Sequence, residues 1–358
     1  MAESYSLPVR TANQESEPVV YVFLSLKGNR FSRTRNYYHG ISKKGLNSYW
    51  IDVDPQNKAR EIRGVINRFK FLNVIYVVAS PSHVLVPHLK VRTRNRIVLD
   101  AGWPLYDGVI QSRKNYGFLG WRFISTILLD FFAFHLSSKI FLESPSQMRA
   151  CKRRYLLPVR KLAYLATGFD ENRFEDTKNQ ARARVKAGFV LFRGGPQEEA
   201  GLPVLFDAIE ILKRRGDFRF VVVSKLPAHK AVQRGNLEIL NDFQEDNVLW
   251  NLYEAADIVL GQLSNHPRLD KTLPHKFFEA GFFRKAYLTA SRGEMSAFAS
   301  NLNVVGFTPA NAEDLAMKIE ELLNSQDKRE IYGESISDLY MKEFSQKVLT
   351  EKFLKSIN

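Results

Sequence analysis

The chain has 358 residues, 45% of them hydrophobic and 25% charged, with a formal net charge of +14. That length predicts two domains of roughly 150 to 180 residues each, and the composition excludes a disordered or fibrous chain. One cysteine, Cys151, excludes an internal disulfide and a thiolate zinc site, which points to a reducing, cytoplasmic setting.

The polar stretch Met1 to Glu17 lacks the apolar centre of a signal peptide, so none is expected. Val19 to Leu26 (VVYVFLSL) then reads as a buried parallel strand, followed by Lys27-Gly28-Asn29. A helix is predicted from Arg33 to Gly45 and strands at Ser48 to Asp54, Val74 to Ala79, Ile97 to Asp100, Lys139 to Glu143 and Leu162 to Leu165. Trp121 to Leu136 is apolar but interrupted by Arg122 and Asp130. It falls short of the ~20 residues that span a bilayer, and it reads as a buried helix, with an interfacial helix as the alternative.

Thr167-Gly168-Phe169-Asp170 closes the first run of elements, and the charged segment Arg173 to Lys186 suits a linker. The alternation restarts with a strand at Gly188 to Phe192, a helix at Leu202 to Arg215 and strands at Phe218 to Ser224, Ile258 to Leu260 and Ala286 to Thr289. Helical periodicity returns at Glu313 to Leu323, and Ser337 to Ile357 reads as one long helix. The expected boundaries are a tail over 1–17, a first domain over 18–184, a second over 185–335, and a final helix over 336–358 able to pack back on the first domain. Two strand-helix halves imply an α/β chain of two doubly wound, Rossmann-like domains. Their glycine loops, Gly28 in one and Gly194-Gly195 in the other, would face each other across a cleft.

Chemistry concentrates between Asp257 and Ala290. A polar loop there leads into a helix opening at Thr272-Leu273-Pro274, with Thr272 as its cap and Pro274 in its first turn. The free amides of that opening, the helix dipole and Lys276 attract phosphate. Glu279 follows one turn later on the same face, so a cation for a diphosphate and a carboxylate for ribose hydroxyls stand together. That pairing fits a nucleotide diphosphate.

Four segments then resemble, in order, the retaining GT-B glycosyltransferases of the glycogen-synthase-like group. They are ATGFDENRF (Ala166 to Phe174), VLFRGGPQEEAGLPVLFDAIEIL (Val190 to Leu212), NLYEAADIVLGQLS (Asn251 to Ser264) and TLPHKFFEAGFFRKAYLTAS (Thr272 to Ser291). The resemblance implies a GT-B fold and transfer of a sugar from a nucleotide diphosphate to a glycan or lipid-linked acceptor. It places Glu279 on the donor ribose, Lys276 with the backbone at Leu273 to His275 on the nucleotide and diphosphate, and Gly194-Gly195 with Arg193 on the phosphate loop. Two departures stand out. Lys271, beside Asp270, occupies the position of the family's first paired glutamate, and where an arginine and a lysine usually clamp the diphosphate the chain has Gly195 or Arg193 and Ala200. The cations left to rebuild the clamp are Lys276, Lys271, Arg268 and Arg193.

Transfer of this kind needs a stabilised leaving diphosphate and a positioned acceptor hydroxyl, so cations carry most of the catalytic burden. Asp100, at the end of its strand, is the candidate to orient the acceptor, and capping the turn toward Gly102-Trp103-Pro104 is its other reading. No histidine shows ligand spacing and no acidic cluster suggests a bound metal, so transfer is expected to need no metal and no cofactor beyond the nucleotide sugar. Alternatives are a sugar-nucleotide epimerase, which needs acid and base groups over the sugar ring, and a catalytically impaired relative.

The charge is uneven: residues 1–184 carry an excess of 16 positive charges and residues 185–358 an excess of 2 negative ones. The basic half could meet anionic lipid head groups, a polyprenyl-phosphate-linked acceptor or nucleic acid. Its cations are dispersed and no reading motif is present, so a nucleic-acid partner is not expected. A peripheral position on the inner face of a membrane is.

Overall fold

The computed structural model describes residues 18–27, 31–111, 120–174, 188–226, 236–242 and 244–357. They form two domains, each a six-stranded parallel sheet flanked by helices. In the first, β1 (Val20–Leu26), β2 (Ser48–Val53), β3 (Val74–Ala79), β4 (Arg96–Gly102), β5 (Lys139–Leu142) and β6 (Leu162–Tyr164) lie in the order β2-β1-β3-β4-β5-β6. The second has β7 (Phe189–Arg193), β8 (Arg219–Val223), β9 (Leu237–Leu240), β10 (Ile258–Leu260), β11 (Ala286–Ala290) and β12 (Val305–Phe307) in the order β12-β11-β10-β7-β8-β9. Continuous apolar runs such as VIYVVA in β3 are buried along their whole length because helices cover both faces of the sheet.

The helices are α1 (Ser32–Lys43), α2 (Lys58–Arg68), α3 (Leu85–Lys90), α4 (Trp121–Leu136) and α5 (Pro145–Tyr155) in the first domain. The rest are α6 (Leu202–Ile211), α7 (Asp246–Ala255), α8 (His275–Phe282), α9 (Glu294–Ser300), α10 (Ala312–Leu323), α11 (Gln326–Leu339) and α12 (Gln346–Ile357). Strand order reverses between β1 and β3 in one sheet and between β7 and β10 in the other. Such switch points open a crevice at the carboxyl ends of the strands, and the ends of β7, β10 and β3 all reach one cleft.

Three expectations change. The C-terminal segment is not one helix: α11 runs into a π-turn at Tyr340–Phe344, and Ser345 adopts extended backbone before α12 begins. The break lets α12 lie against α1. Gln346 Nε2 donates to Asn36 Oδ1 at 2.9 Å, and the Phe353 ring stacks 5.7 Å from Tyr37 and 4.9 Å from Phe141.

The second change concerns α4. It is not buried: only Asp130, Ala133 and Phe134 are enclosed, while Trp121 is 77% exposed. Among the described residues, no helix is long and apolar enough to cross a membrane. The third concerns the basic first half, whose cations are not all free at the surface. Arg33 is 2% exposed and paired with Asp100, and Arg154 pairs with Asp107 at 2.7 Å.

Candidate functional site

The cleft between the domains has a volume of about 900 Å³. Phe31, Pro81, Trp103, Leu105 and Gly108 line it from the first domain. From the second come Arg193, Gly194, Gly195, Lys225, Gln262, Arg268, His275 and Lys276, with Asp242, Gln244 and Leu249 further along.

Helix α8 opens at His275, with Pro274 as its extended N-cap residue and no side-chain cap. Thr272 therefore does not cap it; its hydroxyl donates to the Arg268 carbonyl at 3.2 Å instead. Leu273 is buried in the core and does not line the cleft. The unsatisfied amides of a first helical turn thus lie at the end occupied by His275 and Lys276, both of which line the cleft.

Lys276 is buried, and its Nζ donates to the Gly261 carbonyl at 2.7 Å and to Gln262 Oε1 at 3.4 Å, beside the Phe192 ring. Burial and the nearby Arg193 charge push its pKa down to about 7, against the pull of Glu279. Gly194 passes close by: a Cβ there would stand 3.1 Å from the Phe192 ring, a tight contact, and 3.4 Å from Nζ, an ordinary one.

Glu279 lies beneath the cleft surface instead of in it. Its Oε1 accepts from Arg193 Nη2 and from His275 Nδ1, the latter at 2.9 Å, and its Oε2 accepts from the Tyr253 hydroxyl. Burial opposes its charge, but the Arg193 guanidinium and His275 hold its pKa well below the usual carboxylate range. The same contacts raise the pKa of Arg193. On its other side His275 Nε2 lies 3.0 Å from Ser32 Oγ, on α1 in the other domain. One buried carboxylate thus aims two cleft-lining side chains.

Arg268 donates to Glu199 Oε1 at 2.7 Å and covers the Trp103 ring at 5.7 Å. Lys271 offers its carbonyl to Ser144 Oγ, and Asp270 is held by both Nε and Nη2 of Arg292. Ala200 lines the cleft and brings no charge. The phosphate-loop neighbour Gly201 has φ +74°, and a Cβ there would stand 2.6 Å from the Ser264 amide. That backbone admits only glycine without strain.

Asp100 does not line the cleft. It is fully buried, with Oδ1 accepting from Arg33 Nε at 2.8 Å and Oδ2 from Thr34 Oγ1 at 2.5 Å, so both oxygens brace α1 against β4. Gly28 lies outside the described residues. Tyr253, Gln262, Trp103 and Phe31 were not singled out as site residues from sequence, nor was Glu143. Burial pushes the Glu143 carboxyl up to about 7 despite the Arg268 and Arg33 charges, and its Oε1 has no hydrogen-bond partner among the described residues. The tyrosine and glutamine fall inside segments that carry the family resemblance; Trp103 and Phe31 left no such trace.

Two doubly wound domains facing across a cleft that gathers cations at a helix start are the GT-B architecture. Solved structures agree on that fold: sucrose-phosphate synthase from Thermosynechococcus elongatus matches with a TM-score of 0.68 at 10% identity over 95% of this chain and 98% of that one. The Anabaena HepE protein in complex with UDP and glucose matches at 0.66 with 12% identity, over 94% and 98%. A glycosyltransferase from Rickettsia africae matches at 0.63 with 14% identity, over 94% and 97%. No curated relative matches the chain by sequence.

Residues 173–337 match the family model described as Glycosyl transferases group 1. Fold and matched domain together support a nucleotide-sugar glycosyltransferase.

Proposed function

We propose that the protein moves a sugar, with retention, from a nucleotide diphosphate to a hydroxyl of a glycan or polyprenyl-phosphate-linked acceptor. The observation that carries this reading is the buried Glu279 that aims Arg193 and His275 into the cleft beside Lys276. Arg193, Lys276 and the start of α8 supply positive potential for a diphosphate, and the loop at Gly194-Gly195 lets it approach the backbone. Glu279 has three protein partners and lies beneath the cleft surface, so it serves the donor by holding Arg193 and His275 in place. The aromatic wall of Phe31 and Trp103, 5.5 Å apart, gives an apolar face for an acceptor.

The bond from sugar C1 to the diphosphate oxygen breaks as the acceptor oxygen bonds C1 on the same face, and the acceptor proton passes to the departing diphosphate. Cations at Lys276 and Arg193 stabilise the charge that develops on the leaving group. No protein base is required by that route, which agrees with the engaged state of Asp100.

Thermal-shift and calorimetric titration with UDP-, GDP-, ADP- and TDP-linked sugars tests the reading. One base is expected to stabilise the protein, and supplied acceptor is expected to draw turnover. No binding to any of them overturns it. Interconversion of the free donor without transfer would assign an epimerase, and binding without chemistry an impaired relative.

A further inference from the structure

We infer that α4 is an interfacial helix on which the first domain docks to an anionic bilayer. Trp121, Ile124, Leu128, Phe131 and Phe132 are exposed to 77%, 43%, 45%, 39% and 51%. They recur at helical spacing, so they form one stripe along the solvent side of α4. The opposite side is enclosed through Asp130, Ala133 and Phe134. A helix apolar on both faces, held to the domain by only one, presents water with a surface that a monomeric protein does not ordinarily keep. At 16 residues it is about 24 Å long and lies along the domain, a geometry suited to the plane of an interface.

The surroundings select an anionic lipid surface as the occupant. The C-terminal end of α4 abuts residues 155–161: His135 Nε2 donates to the Tyr155 carbonyl at 2.9 Å, and Lys161 Nζ donates to the His135 carbonyl. In that segment Leu156 is 82% and Val159 59% exposed, which extends the apolar surface. Cations gather beside it: burial and the charges of Arg160 and Lys90 together lower the Lys161 pKa, and Lys139 Nζ reaches the Arg160 carbonyl at 3.2 Å. An apolar stripe ending in lysines and arginines, in the half that carries the excess positive charge, is complementary to a leaflet with anionic head groups.

The helix is also joined to the cleft. Asp130, on its enclosed side, accepts from the Leu105 and Tyr106 amides at 2.9 Å each, and Leu105 lines the cleft. A docked α4 would bring the acceptor wall close to the leaflet. The inference deepens the proposed function by naming the surface on which a lipid-linked acceptor would be met, and it is measured independently of donor binding.

The test is co-sedimentation of the full chain with vesicles of phosphatidylcholine alone or with phosphatidylglycerol added, at low and high salt. Binding is expected only with the anionic lipid, weakening with salt, and the triple variant I124Q/L128Q/F132Q is expected to lose ~10-fold or more of it. The thermal shift with nucleotide sugar should survive in that variant, which shows that it folds and separates this result from the donor reading. Absence of binding to anionic vesicles overturns the inference, and so does full binding by the variant. If the substitutions instead convert a dimer to a monomer in light scattering without changing vesicle binding, the stripe is a contact between copies of this chain and the inference fails.

Discussion

The two walls of the cleft reverse what the net charges of their domains suggest. The first half carries an excess of 16 positive charges, yet its cleft-lining residues are Phe31, Pro81, Trp103, Leu105 and Gly108, none of them charged. The second half carries an excess of 2 negative charges and supplies four cations, Arg193, Lys225, Arg268 and Lys276, against two carboxylates, Glu199 and Asp242. Net charge describes the outer surface and long-range steering; a site is made by the few charges that the fold brings to one strand end. The proposed division of labour, a cationic donor wall against an apolar acceptor wall, follows from this contrast and can be attacked through it.

The largest effect is expected from Glu279→Ala. It removes the carboxylate partner of the Arg193 guanidinium and of the enclosed Tyr253 hydroxyl, leaving them their 3.3 Å contact with each other, and breaking a buried pair typically costs ~3 to 5 kcal/mol. Calorimetry should show a large drop in melting temperature, with Glu279→Gln milder because it keeps the shape and one acceptor oxygen. A wild-type melting temperature in the alanine variant would sink the account of Glu279 as the organiser of this wall.

Lys276→Met should do the opposite to stability while removing chemistry. Removing a donor to the developing charge typically lowers rate by ~100-fold or more, ~3 to 4 kcal/mol, whereas the fold is freed of an ammonium that it disfavours. The pH dependence has a defined sign. Lys276 titrates near 7 in the folded chain against 10.5 ordinarily, so between those values the unfolded chain binds more protons and stability rises with pH. Donor affinity, which requires the charged form, should fall over the same window. A nucleotide sugar whose affinity stays level from pH 7 to about 9 in wild type, or falls equally in Lys276→Met, would remove Lys276 from the phosphate site.

How much of this was legible in the sequence differs between the walls for a physical reason. Strands buried on both faces announce themselves as apolar runs, so β1, β3 and β11 were found to within a residue at either end. Three-residue β12 and half-exposed β9 carry too little contrast to be read. The α11 to α12 break was missed because the apolar periodicity continues through Tyr340 and Phe344, and only the extended backbone at Ser345 interrupts it. On the donor wall, Lys276 and Glu279 share a helix, so spacing alone joins them. On the acceptor wall, Phe31 and Trp103 come from separate loops that meet only through the fold. Asp100 misled because a strand-end carboxylate reads the same whether it faces a cleft or braces a helix, and its partner Arg33 is 67 residues away in sequence. The solvent-facing stripe of α4 reads from composition as a buried helix, since sequence does not say which apolar face is covered.

A subtler probe of the seam between the walls is Glu143→Gln. Its carboxyl is raised to about 7 from 4.5, so between those values the folded chain binds more protons than the unfolded chain, and stability falls as pH rises through them. Glutamine removes that dependence, and above pH 7 the variant should be more stable than wild type by up to ~3 kcal/mol. Melting curves from pH 5 to 8 would read it as a flattened profile, and parallel profiles for the two proteins would exclude a buried, proton-holding Glu143.

The smallest expected effect divides the walls most cleanly. Trp103 packs edge-on to Phe31 at 5.5 Å and lies under the Arg268 guanidinium at 5.7 Å, contacts worth ~0.5 to 1.5 kcal/mol each. Trp103→Ala should therefore raise KM for the acceptor by roughly tenfold, leave donor affinity within about twofold, and be restored in part by Trp103→Phe. Donor affinity is the deciding readout, because Arg268 touches both walls through Glu199 and Trp103. Should donor affinity weaken as much as acceptor KM, Trp103 acts by holding Arg268 over the diphosphate, and the aromatic residues belong to the donor site after all.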